Sequence, residues 1–171
     1  IFVLIFIGIV ADEDEDEDGV LDFVDEMPFD PARSSYGETV EAEPNDLPND
    51  ANGTGNTAPH RFSGEITTVA DIDRFTVAVQ SGQTLTAIVD AAGNPAARPA
   101  LQFAAPTGEP LLPLPIEAST TTPQSQSISF RAPEDGQLQI AVSTPGEAVP
   151  FAYEVQVFFD GDLDRVDDDR E

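Results

Sequence analysis

Short runs of Val, Ile, Thr and Phe in which every second residue is apolar recur through the middle of this chain, separated by Gly and Pro. This pattern constrains the fold more than any other feature. A side-chain period of two belongs to extended strands with one buried face, and it cannot form an apolar stripe on a helix. Fifteen prolines scattered over 171 residues leave little room for a long helix. Candidate strands fall at 60–69, 74–80, 83–90, 100–104, 111–116, 127–131, 136–143 and 151–159. Phe75, Val77 and Val79 share a face, as do Ile128 and Phe130, then Leu138, Ile140 and Val142, then Tyr153, Val155 and Val157. Half-buried strands of this kind predict an all-β, jelly-roll-like antiparallel sandwich, two sheets packed face to face, over residues 38–159.

Charge divides the rest of the chain. The net charge is −26, carried mostly by the two ends. Residues 1–50 hold 16 acidic residues and one Arg, residues 160–171 hold seven and two, and the body between holds ten and four. Four segments result: an apolar run at 1–10, an acidic segment at 11–37, the sandwich at 38–159 and an acidic tail at 160–171. With no basic patch and no Lys at all, nothing is placed to meet phosphates, so nucleic acid is excluded as a partner.

The acidic segment has a register. Asp14, Asp16, Asp18, Asp22 and Asp25 occupy positions 1, 3, 5, 9 and 12 of a twelve-residue loop, with Gly19 at position 6, where calcium loops turn sharply. Asp25 stands where a longer, bidentate Glu is usual. A solvated acidic linker is the plainer reading, but a linker does not require Gly at position 6 or the apolar Val20, Leu21, Phe23 and Val24 around it. The register predicts Ca²⁺. Loops of this class fill at extracellular calcium levels, which points to an extracellular or cell-surface location.

Catalytic chemistry is sparse. There is no cysteine, which excludes disulfides and thiol catalysis, and the single histidine, His60, sits in a Pro- and Asn-rich stretch that reads as surface. A hydrolytic base or nucleophile pair is not evident, and no Gly-rich phosphate loop is present. The chain reads as a non-enzyme. Asn52-Gly53-Thr54 forms an N-glycosylation sequon in an expected loop.

Three patches of the body carry a family resemblance: Glu41-Ala42-Glu43-Pro44-Asn45-Asp46; Asp71-Ile72-Asp73-Arg74-Phe75 running on to Ser81-Gly82-Gln83-Thr84-Leu85; and Ala132-Pro133-Glu134-Asp135-Gly136 with its flanking strands. In this order they resemble the bacterial pre-peptidase C-terminal domain, a secreted β-sandwich related to the collagen-binding domains of clostridial collagenases. The resemblance implies calcium ligands at Glu41, Glu43, Asn45, Asp46, Asp71 and Asp73, and clustered carboxylates with an amide carbonyl are oxygen donors suited to that ion. A polar turn built on Pro44, Asn45 and Asp46 is the competing reading. Collagen binding is not carried over, because no corresponding aromatic patch can be placed. The acidic segment separately resembles a thrombospondin type 3 repeat, with Pro28 on its last position. So does the tail, through Asp160, Asp162, Asp164, Asp168 and Glu171, although Arg165 replaces the position-6 glycine.

The apolar run at 1–10 is too short to span a bilayer as a helix, at about 15 Å. It reads as a strand or as the remnant of a targeting segment. As a strand it needs a partner, either its own sandwich or the open edge of a neighbouring copy, where head-to-tail insertion builds a filament. Two functional expectations follow. One is a calcium-stabilised extracellular filament subunit joined by donor-strand insertion between copies. The other is a non-catalytic accessory domain of a larger secreted protein such as a peptidase, or a matrix- or carbohydrate-binding module.

Overall fold

A computed structural model describes residues 35–91, 93–112 and 123–161. The expected donor strand at 1–10, the calcium register of Asp14, Asp16, Asp18, Asp22 and Asp25, and the tail positions Asp162, Asp164, Asp168 and Glu171 lie outside the described residues. From residue 37 onward the described residues belong to one compact unit.

Eight strands form it: β1 (Gly37–Val40), β2 (His60–Ile66), β3 (Asp73–Val79), β4 (Thr84–Asp90), β5 (Ala100–Ala104), β6 (Ser125–Arg131), β7 (Gly136–Ser143) and β8 (Phe151–Phe159). One sheet has the order β1-β2-β8-β4-β6 and the other β3-β7-β5. The fold is the all-β sandwich that the periodicity predicts. From β3 onward each strand lies in the opposite sheet to the one before it, so every connection after β2 crosses between layers. The Ser81-Gly82 turn is accordingly an arch between sheets. Gly82 adopts φ 86°, a left-handed conformation that glycine reaches without steric cost.

The strand faces follow the sequence pattern. In β3, Phe75, Val77 and Val79 are buried and the residues between them are not, and Asp73 continues that inward phase at the strand's first position. Phe62 of β2 stacks on Phe75 of β3 at 4.6 Å between ring centroids, joining the two sheets, and Tyr153 of β8 meets Phe75 edge-on at 6.5 Å. Phe103 and Phe130 make the corresponding inter-sheet contact elsewhere in the core. Burial of such rings supplies the main favourable term for folding.

Four expectations are corrected. The strand expected at 60–69 ends at Ile66, because Thr67 leaves the ladder to bond Asp71. Leu111 and Leu112, expected to open a strand, are in none; Leu111 N donates to Phe103 O, and the rest of 111–116 lies outside the described residues. The first strand begins at Gly37, inside the expected acidic segment, and pairs with β2 in parallel, so the sheets are not antiparallel throughout. The long 41–59 connection returns the chain to the start of β1 and makes parallel pairing possible. His60 is buried, not at the surface. Its ring stacks on Phe62 at 4.6 Å, its Nε2 lies 2.9 Å from Thr39 Oγ1, and a Cβ on Gly37 would lie 2.4 Å from its Nδ1. Burial lowers its pKa against the opposing pull of Glu38.

Candidate cation site at the head of β3

Three carboxylates meet where the 41–59 connection and the β2–β3 turn converge on β3. One oxygen each from Glu43, Asp71 and Asp73 lies within 4.8 Å of the others. The local sequence explains each placement. Asp73 sits at the inward phase of β3 and is fully buried. Asp71 closes the preceding turn, where its Oδ2 accepts from Thr67 N at 2.6 Å and from Thr67 Oγ1 at 2.8 Å. Glu43 is exposed and folds back over its own loop, its Oε2 accepting from Asn45 N at 3.0 Å.

Asn45 is the informative member. It is fully buried, and its Oδ1 lies 3.3 Å from Glu43 Oε2 and 3.1 Å from Asp73 Oδ1. Asn45 Oδ1 thus faces two carboxylate oxygens, of which Glu43 Oε2 already accepts from Asn45 N. Turning the amide over would give both carboxylates a donor, but would set Asn45 Oδ1 against Asn52 Oδ1, which now accepts from Asn45 Nδ2 at 3.1 Å. Asn52 is itself oriented, since its Oδ1 accepts from Ala42 N at 2.8 Å and its Nδ2 donates to Ala42 O at 3.0 Å. Oxygens that converge on a buried carboxylate are costly unless a cation joins them or the carboxylate takes up a proton.

The remaining sequence candidates stand around this group. Glu41 Oε1 accepts from Glu65 N at 2.9 Å, and its Oε2 lies 3.2 Å from Tyr153 Oη. Tyr153 Oη also lies 2.6 Å from Asp73 Oδ2. One phenolic proton cannot serve both carboxylates, and the shorter contact assigns it to Asp73. Burial first, then Glu41 beside it, pushes Asp73 up to about 8, against the Tyr153 hydrogen bond, with the Asp71 charge adding to the rise. The same surroundings raise the Tyr153 phenol. Gly64 permits the approach of Glu41 to Tyr153, because a Cβ there would lie 2.1 Å from Glu41 Oε2 and 2.5 Å from Tyr153 Oη. Asp46 points the other way: its Oδ1 accepts from Ile72 N at 3.0 Å and its carbonyl from Arg74 Nε at 2.9 Å, which ties the loop to β3. Asp160, the first residue of the expected tail loop, is buried elsewhere, against Thr86.

Sequence reasoning missed Thr67, Gly64, Tyr153 and Asn52 as supports of this site. Tyr153 read as a core residue and Asn52 only as the head of a sequon. For Gly64, Tyr153 and Asn52 nothing in the local sequence signals the role, since each acts on a residue farther away in the chain, whereas Thr67 bonds Asp71 within one turn.

No protein family matches the chain, and no curated protein sequence does. Among solved structures, the chain is similar to the pre-peptidase C-terminal domain of a collagenase from Bacillus anthracis, at 12% identity and TM-score 0.43, over 62% of this chain and 96% of that one. It is similar to a periplasmic inhibitor of g-type lysozyme from Aeromonas hydrophila, at 16% identity and TM-score 0.38, over 71% and 99%. It is also similar to a surface-associated copper-binding protein of Methylomicrobium album, at 12% identity and TM-score 0.42, over 74% and 99%. All three TM-scores lie below 0.5, and the activities in those names stay with those proteins.

Proposed function

We propose that this chain is a non-catalytic, calcium-stabilised β-sandwich module of an exported protein. Glu43, Asn45, Asp71 and Asp73 hold the ion, while Glu41 and Asp46 set the geometry of the loop that supplies Glu43 and Asn45. The observation that carries this reading is the meeting of Glu43, Asp71 and Asp73 oxygens within 4.8 Å of one another, with the amide oxygen of buried Asn45 turned toward Glu43 and Asp73 by the bond of its Nδ2 to Asn52. Calcium suits it better than a transition metal, because the donors are all oxygen, with carboxylate and amide mixed and no imidazole or thiolate. Calcium supplies charge neutralisation here and no chemistry. The ion ties the 41–59 connection to the head of β3, so binding stabilises the folded state by mass action. The extracellular or cell-surface location follows from the ion, since weak oxygen sites fill where calcium is abundant. The non-catalytic reading is supported by His60, the sole histidine, whose ring is buried against Phe62 and bonded to Thr39. Calorimetric titration of the full chain with CaCl₂ and thermal melts with calcium or EDTA test the reading. Binding and a raised melting temperature are expected; no heat of binding together with identical melts overturns it.

The finer reading is a filament of identical copies, each inserting residues 1–10 into a neighbour, with the calcium loop of Asp14–Asp25 stiffening the joint. Its support is the sequence: an apolar run, a calcium register and a sandwich in series. Deleting residues 1–10 is expected to abolish assembly in electron micrographs, and filaments that persist without that segment sink the idea.

A further inference from the structure

We infer that Asn52 is the positioning residue of the cation site: it fixes which end of the Asn45 amide meets the carboxylates. The inference rests on the calcium reading and concerns a residue outside the acidic motifs.

Asn52 is anchored before its side chain acts. Its N donates to Arg74 O at 2.7 Å, and its carbonyl accepts from Thr76 N at 2.9 Å and from Thr76 Oγ1 at 3.0 Å. These bonds lay it in parallel beside Phe75 on the edge of β3. Its side chain then treats Ala42 as a neighbouring strand would, accepting from Ala42 N and donating to Ala42 O. The loop carrying Glu41, Glu43 and Asn45 is thereby pinned to the strand carrying Asp73.

One lone pair of Asn52 Oδ1 remains, and Asn45 Nδ2 takes it at 3.1 Å. The amide oxygen of Asn45 has no place left but the carboxylate side. Other residue types fail at this position for definite reasons. Asp has no proton for Ala42 O, Ser is too short to span both Ala42 groups, and Gln is one methylene too long for a side chain fixed at both ends. Gly53, directly after it, turns the chain away at φ 82°, where a Cβ would collide with Asn56 Nδ2 at 2.0 Å. Without Asn52, the Asn45 amide is free to turn over and give its protons to Glu43 and Asp73, neutralising the acceptors that a cation needs.

The test compares full-length wild type, Asn52→Ala and Asn56→Ala. Asn56 lies on the same loop but donates to Thr39 Oγ1, away from the carboxylates, so its variant controls for general loosening. Calcium affinity is expected to fall about tenfold to a hundredfold in N52A, the usual cost of losing a residue that orients a metal ligand. N56A is expected to bind within about twofold of wild type by the same criterion. A second readout needs no ion. In the calcium-free protein the Asn45 side-chain NH₂ resonances should exchange slowly with water in wild type, and shift and exchange faster in N52A. N52A binding like wild type, or N56A losing as much affinity as N52A, overturns the inference. Should wild type fail to bind calcium, the calcium reading falls on its own. Asn52 is then judged by the Asn45 resonances alone, and their being unchanged in N52A overturns its role.

Discussion

Two buried carboxylates of this sandwich sit in opposite electrostatic situations. Asp73, at the head of β3, takes one proton from the Tyr153 hydroxyl and otherwise faces acceptors: Asn45 Oδ1, a Glu43 oxygen, and Glu41 across that hydroxyl. Asp160, just after β8, is met by donors in series, with Ser129 Oγ beside Thr86 Oγ1 and Thr86 donating to Asp160 Oδ2 at 2.5 Å. Each hydroxyl there has one proton, so Ser129 gives to Thr86 and Thr86 to Asp160, which leaves Asp160 Oδ1 without a partner. The first cluster has too many acceptors and is completed by a cation or a proton. The second is nearly balanced and works as a structural lock between β4, β6 and the end of β8. Burial alone therefore does not mark a binding site; the ratio of donors to acceptors around the carboxylate does.

Asp73→Asn gives the largest expected break in this contrast. Calcium affinity should drop by about a hundredfold or more, since losing a ligand costs at least as much as losing its supports. The calcium-free protein should become more stable at pH 8 in the same variant. The sign follows from linkage. Asp73 has a folded-state pKa of about 8 against an ordinary 3.8, so the folded state holds more protons than the unfolded state between those values. Calcium-free stability is full below about pH 4 as far as this group is concerned, and falls as pH rises toward 8. Melting temperatures in EDTA across that range should slope downward in wild type and flatten in D73N. A wild-type slope that is flat or upward removes the account of Asp73.

Thr86→Val probes the other cluster with the opposite sign. The isosteric change strips Asp160 of its donor, and a buried carboxylate left without partners costs about 1–3 kcal/mol. Urea unfolding in EDTA should show the loss. Stability equal to wild type would mean that the hydroxyl relay supports nothing. Gly64→Ala returns to the first cluster by crowding alone. The new methyl must displace Glu41 Oε2 and Tyr153 Oη, and overpacking of this kind costs about 1–3 kcal/mol. Because Glu41 is pushed from Asp73, calcium affinity and stability should change together, which separates G64A from T86V.

The contrast also shows what the sequence could carry. Strand existence was legible because the buried faces of β3 and β8 repeat every second residue. The Asp71-x-Asp73 spacing places one carboxylate in the turn and the next at the first inward position of β3, so the meeting of these two follows from period two once the strand start is known. The assignment of strands to sheets was not legible, because every connection after β2 crosses layers and its partners lie far apart in sequence. The parallel β1, the burial of His60 under it, and the hold of Asn52 on Ala42 depend on the return of a long connection, and periodicity says nothing about such returns. Glu41 and Asp46 looked equivalent to Glu43 in the motif. The structure separates them by what each carboxylate already accepts: Glu65 N for Glu41, Ile72 N for Asp46, and only the amide of its own loop for Glu43.

Asp46→Asn sharpens that separation with the smallest expected effect. Asp46 is exposed and its Oδ1 is occupied by Ile72 N, a bond that an Asn oxygen can also accept. What the substitution removes is one screened negative charge near the cation. Such a charge is worth about 1 kcal/mol or less, or roughly fivefold in affinity at most, and the difference should shrink further as salt is added. Calorimetric titrations of D46N at low and high salt measure both. A drop as large as that of D73N, insensitive to salt, would make Asp46 a direct ligand, and the division between the residues that hold the ion and those that shape its loop would have to be redrawn around it.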